Sequence, residues 1–163
     1  SREKNVEYFK PVLEHAARHH VGLAIENLWD YNIAPRRRYT SNAEELVDLV
    51  DTLAGDYGNV GICWDFEHAN IMKQAQTPAL RMIGDRLKAT HVSDNIGIEN
   101  DHILPFYGYT DWEEIMRVLK DIGYQGDFTY EIHRYTTQLP EALILPALRY
   151  SIEVGNYLLS LAK

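Results

Sequence analysis

The chain has 163 residues, 45% hydrophobic and 25% charged, a balance that fits one globular domain and excludes a disordered segment. No apolar run approaches the roughly 18 residues a membrane-spanning helix needs. A net charge of −8 repels phosphate backbones, so nucleic acid and membrane are both disfavoured as partners.

The opening stretch, "SREKNVEYFK", lacks the apolar core and cleavage site of a secretion signal. It reads as the middle of a helix covering roughly 4–19, kinked or delayed by Pro11, and the natural chain is expected to begin earlier. "VGLAIE" (21–26) follows as a short strand ending in Glu26. The loop behind it carries Arg36, Arg37 and Arg38, by default a solvated charge run and secondarily a grip for phosphate or carboxylate. Ser41 and Glu44 suggest a capping box before Ala43, Leu46, Val47, Val50 and Leu53, whose spacing makes one apolar helix face, and Gly55 ends that helix.

A second strand, "NVGICWD" (59–65), ends in Asp65, with His68 three residues on. It contains the one cysteine, Cys63, which excludes an internal disulfide and reads as a buried inert thiol in a reducing cytoplasm. Thr77 and Pro78 predict the start of a shorter helix ending near Arg86. The third strand, "LKATHVSD" (87–94), holds His91 and Asp94. Thr110 and Glu113 suggest another capping box ahead of Trp112, Ile115, Met116, Leu119 and Ile122, closed by Gly123. "DFTYEIH" (127–133) is the fourth strand, carrying Glu131 and His133, and a last helix spans about 141–161.

Near-continuous apolar character marks the four strands as buried on both faces of a parallel sheet. Strand alternates with helix throughout, so the expected architecture is α/β, four parallel strands joined by crossover helices. That is half of a (β/α)8 TIM barrel, which typically needs around 250 residues. Residues 1–163 are expected to form a single domain, the carboxyl-terminal half of such a barrel. The amino-terminal half would lie upstream, or two copies would associate into a homo-oligomer.

Reactive residues of parallel α/β folds collect at the carboxyl ends of strands. Glu26, Asp65, His91 and Glu131 are separated by 39, 26 and 40 residues, each about one βα unit. One such acid is commonly structural. Three acids and a histidine converging from adjacent strands need a cation or several protons to be tolerated. Asp94 is expected to orient His91 or a loop amide rather than bind metal. His15, His19 and His20 belong to the surface of the first helix. Trp29, Trp64 and Phe106 lie near strand ends, where aromatic residues either wall a pocket or, by default, belong to the core; only Phe106 is singled out, as a candidate lid.

With "IENL", "CWDFEHAN", "THVSDN", "DHILPFYGYTDWEEI" and "GYQGDFTYEIH" in this order and spacing, the chain resembles the xylose isomerase-like TIM barrels, the family of sugar phosphate isomerases and epimerases. The resemblance runs over essentially all residues and corresponds to the carboxyl-terminal half of that fold. It implies one divalent metal held by Glu26, Asp65, His91 and Glu131, with His68 and His102 contacting substrate. Asn100 stands where the family usually has an acid, and Phe106 where glycine is frequent. Three carboxylates and an imidazole suit Mn2+ first, with Mg2+, Co2+ or Zn2+ also compatible.

The implied chemistry is proton abstraction next to a carbonyl through a metal-stabilised enediolate, with Glu26 and Glu131 as the acid/base pair. The substrate would be a small-molecule sugar, sugar phosphate or polyol, and the location the cytoplasm. Competing readings are an inosose-type keto-polyol dehydratase, an apurinic endonuclease-like metallonuclease, and a non-catalytic sugar-binding half-barrel.

Overall fold

The computed structural model describes residues 1–30, 38–97 and 99–162. Among them lie α1 (Arg2–Arg18), β1 (Leu23–Glu26), α2 (Ala43–Ala54), β2 (Val60–Asp65), α3 (Phe66–Ile71), α4 (Gln76–Ile83), β3 (Leu87–Val92), α5 (Trp112–Asp121), β4 (Phe128–Tyr130) and α6 (Glu141–Leu161). The four strands form one parallel sheet in the order β1-β2-β3-β4. This is the expected alternation of strand and helix in a partial TIM barrel. Glu26 pairs with Cys63, Asp65 with His91, and Val92 with Tyr130. The Glu131 N–H donates to the Val92 carbonyl at 3.0 Å, carrying the ladder one residue past β4.

Helices cover one face of the sheet, and Leu46, Leu49, Leu53, Ile62, Trp64, Phe66, Leu80, Ile83, Trp112 and Met116 fill the core between the layers. The opposite face exposes Ala24, Lys88 and Thr129. Two-sided burial was expected for every strand; among the described residues it holds along β2 but not along β1, β3 or β4. β1 and β4 are edge strands with one neighbour each, while the inner strand β3 turns Lys88 and His91 to the face that no helix covers.

The helix starts correct the sequence reading by one residue each. The side chain of Asn42, not Ser41, accepts the Glu45 N–H at 2.8 Å and caps α2. Asp111, not Thr110, accepts the Glu114 N–H at 3.0 Å and caps α5. In each case the neighbouring Asn or Asp, itself a strong cap, takes the place of the hydroxyl. α4 begins at Gln76, one residue ahead of Thr77. α1 runs through Pro11 without a break. α3 was not expected as a separate helix; Asp65 caps it by accepting the His68 N–H at 2.8 Å. Trp64 is core as expected, and His15, His19 and His20 are exposed.

Candidate metal centre and active site

Each of the four strands delivers one polar side chain to the same end of the sheet. One ligand atom each from Glu26, Asp65, His91 and Glu131 lies within 4.8 Å of all the others. His91 is central: its Nδ1 is 2.8 Å from Glu26 Oε1 and 3.3 Å from Glu131 Oε2. Asp65 is fully buried. Its Oδ1 is used in capping α3, while its Oδ2 has no hydrogen-bond partner among the described residues; Glu131 Oε2 is likewise buried without one there. Two buried carboxylate oxygens left unbonded beside a third carboxylate are costly unless a positive charge joins them. A divalent cation with hard oxygen ligands fits this donor set.

Titration reflects the crowding. Burial pushes Asp65 well above the usual carboxylate range, and the charges of Glu26, Glu131 and Glu67 push it further, against the His68 N–H that favours the charged form. Burial would raise Glu26 too, but the hydrogen bond and charge of His91, with His68 beside it, bring it down. The Cys63 sulphur and the Glu26 carboxylate raise His91.

His68 sits against this group, its Nδ1 3.5 Å from Asp65 Oδ2 and 3.6 Å from Glu26 Oε1. That nitrogen also lies 2.8 Å from the Asn27 carbonyl, to which it donates. Burial lowers the pKa of His68 and favours the neutral ring, so Nε2 is left as an acceptor for a hydroxyl. His102 is buried on the loop after β3, its Nδ1 donating to the Glu131 carbonyl at 3.0 Å.

Three positioning residues lay beyond the sequence reading or were read incompletely. Buried Asn27 holds β1 to β2 twice, donating to the Asp65 carbonyl at 2.9 Å and accepting the Asp65 N–H at 2.6 Å. Glu67, fully buried, accepts from Ser93 Oγ at 2.6 Å, from the His102 N–H at 3.1 Å, and from the Asp101 N–H. It holds His102 in a left-handed conformation, φ 49°. Asp94 gathers the loop: Asn95, Phe106, Gly108 and Thr110 give it backbone N–H bonds, and Trp112 Nε1 donates at 2.8 Å. It does serve loop amides, as the sequence suggested. Its approach to Gly108 explains the glycine, where a Cβ would lie 2.3 Å from Asp94 Oδ1 and from the Asn95 carbonyl. Asp94 was signalled by its place three residues after His91, whereas nothing in "DFEHAN" marked Glu67 as a loop anchor.

The Trp29 ring packs on His68 with centroids 4.4 Å apart, and the Arg38 guanidinium lies 5.2 Å from that ring. Trp29 is thus a wall of the site rather than core. Arg36 and Arg37 lie outside the described residues. Phe106, 46% exposed, sits at φ 74° with its ring against Tyr157 of α6.

A parallel βα half-barrel with a carboxylate-rich cluster at its strand ends defines the class, a partial TIM barrel with its polar site at the carboxyl ends of the strands. Residues 1–153 match the xylose isomerase-like TIM barrel family, and the chain belongs to it. The chain is 32% identical over 125 residues to an uncharacterized protein, y4fM, of Sinorhizobium fredii, covering 76% of this chain and 37% of that protein. It is 35% identical over 86 residues to a D-psicose 3-epimerase of Enterocloster bolteae, covering 53% of this chain and 26% of the enzyme. A crystal structure of D-psicose 3-epimerase with D-tagatose, from Clostridium cellulolyticum, superposes with a TM-score of 0.79 at 23% identity, over 97% of this chain and 56% of that one. The chain thus spans well under half the length of these curated relatives and about half of the solved structure. No helix among the described residues is long and apolar enough to cross a membrane.

Proposed function

We propose that this chain carries the metal and proton-transfer centre of a divalent-metal-dependent sugar epimerase or isomerase. One observation carries the reading: Glu26, Asp65, His91 and Glu131 converge from four adjacent strands, with the Asp65 and Glu131 oxygens left unbonded. The likeness to a D-psicose 3-epimerase supports a ketose as substrate and the carbon beside its carbonyl as the reacting centre. Glu26, Asp65, His91 and Glu131 would hold the ion, with Mn2+ favoured by the oxygen-rich set. Bound there, a divalent ion supplies the charge that acidifies a C–H next to a carbonyl and offsets the negative charge that develops.

The protein's own residues would do the rest. Glu26 and Glu131 come from the two edge strands and approach His91 from either side. One carboxylate would take the proton from one face of the substrate, and the other would return a proton to the opposite face. Reversed configuration at that carbon is epimerisation; return to the neighbouring carbon is aldose–ketose isomerisation. His68, neutral and fixed through Asn27, would accept a substrate hydroxyl, while His102 would orient the far end. Trp29 would offer an apolar wall to a sugar ring.

The test is exchange of a ketohexose α-proton with solvent deuterium by the full-length protein loaded with Mn2+. Glu131→Gln should slow exchange by about 10²–10⁴-fold. Exchange at the wild-type rate in that variant would remove Glu131 from proton transfer.

A further inference from the structure

A second group of potential ligands borders the first. One ring nitrogen of His102, one of His133 and a carboxylate oxygen of Glu131 also lie within 4.8 Å of one another. We propose that His102, His133 and Glu131 form a second cation site, selective for Zn2+, sharing Glu131 with the first. The inference goes beyond the function proposed above and shares two residues with it, Glu131 and His102, the latter then binding the ion in place of substrate.

Three features support it. Glu131 follows β4 directly and His133 opens the turn beyond it, so both side chains lie at the strand end beside His102. His102 reaches them from the loop after β3, its ring 4.0 Å from that of His133 between centroids. Its orientation is built in. Nδ1 donates to the Glu131 carbonyl, and the Glu67 carboxylate holds its backbone N–H, so the lone pair is left on Nε2. Metal-binding histidines are usually fixed in this way, through a bond from the nitrogen that does not bind the ion. The neighbouring cation, Arg134, is drawn off to the Asn100 carbonyl at 3.0 Å.

The two ligand sets differ in kind. The first has three carboxylates and one imidazole. The second has two imidazoles and one carboxylate, the three-ligand set that holds zinc with one position open. Nitrogen-rich sites draw zinc more strongly than manganese, so the two ions would sort by chemistry.

The measurement is the number of zinc ions retained by the full-length protein after metal stripping, reloading with Zn2+ alone and equilibrium dialysis. His133 is exposed, so its replacement leaves the core untouched; circular dichroism verifies that. His133→Ala should retain one equivalent fewer than wild type, and His133→Asp, which restores an oxygen ligand, should recover it. Equal zinc content in wild type and His133→Ala overturns the second site. If the equal value is one, that zinc belongs to the first centre; if it is zero, the second site falls and a parallel reloading with Mn2+ decides whether the first centre stands.

Discussion

Asp65 shows how much a residue's role depends on what surrounds it. One oxygen caps a helix and the other meets the Glu26, His91 and Glu131 group without a hydrogen bond. Burial and neighbouring carboxylates raise Asp65, and Cys63 with Glu26 raises His91. Protons and a metal ion therefore compete for the same atoms. Both groups hold protons more tightly than usual, so ion binding must expel them, and affinity falls as pH falls. Calorimetry of Mn2+ binding in two buffers of different ionisation enthalpy should give different apparent heats; identical heats would mean no proton is released. The strand-end places of Glu26, Asp65, His91 and Glu131 were legible in the sequence because polar residues spaced by one βα unit leave few other arrangements. Asn27 and Glu67 were not, since their partners, backbone atoms and the Ser93 hydroxyl, lie between 26 and 38 residues away.

At the scale of elements, the loop between β3 and α5 depends on one carboxylate. Asp94 is fully buried and accepts from four backbone N–H groups and the Trp112 indole. An antiparallel bridge between Asp94 and Ile103 pinches the same loop and brings His102 over Glu131. Asp94→Ala would leave five donors without their acceptor, at a cost of at least about 1–3 kcal/mol, the range for a buried donor left unpaired. Urea denaturation should show that loss as a lower midpoint with unchanged slope; a midpoint within 0.2 M of wild type, as roughly ±0.5 kcal/mol would give, would assign the loop's order elsewhere. Helix existence was legible from apolar spacing. The caps were one residue out, because Ser41 and Asn42, or Thr110 and Asp111, are both competent caps and only the path of the chain selects between them.

For the whole molecule, the proposed ion is a fastener as well as a reagent. The ligands come from four strands distributed over more than 100 residues, so binding favours the folded chain over the unfolded one. Mn2+ at a hundredfold excess over its dissociation constant should stabilise the protein by about 2.7 kcal/mol. Asp65→Asn should abolish the upward shift in melting temperature; an equal shift in that variant would place the ion elsewhere. The amino-acid order by itself determined the parallel βα alternation and the four strand-end positions, because hydrophobic period and spacing are local properties of a chain. Only the tertiary structure decided that Glu26 and Glu131 flank His91, that Trp29 walls His68, and that His102 meets His133. Those are distances between side chains remote in sequence, fixed by strand register and loop closure, and no local pattern encodes them.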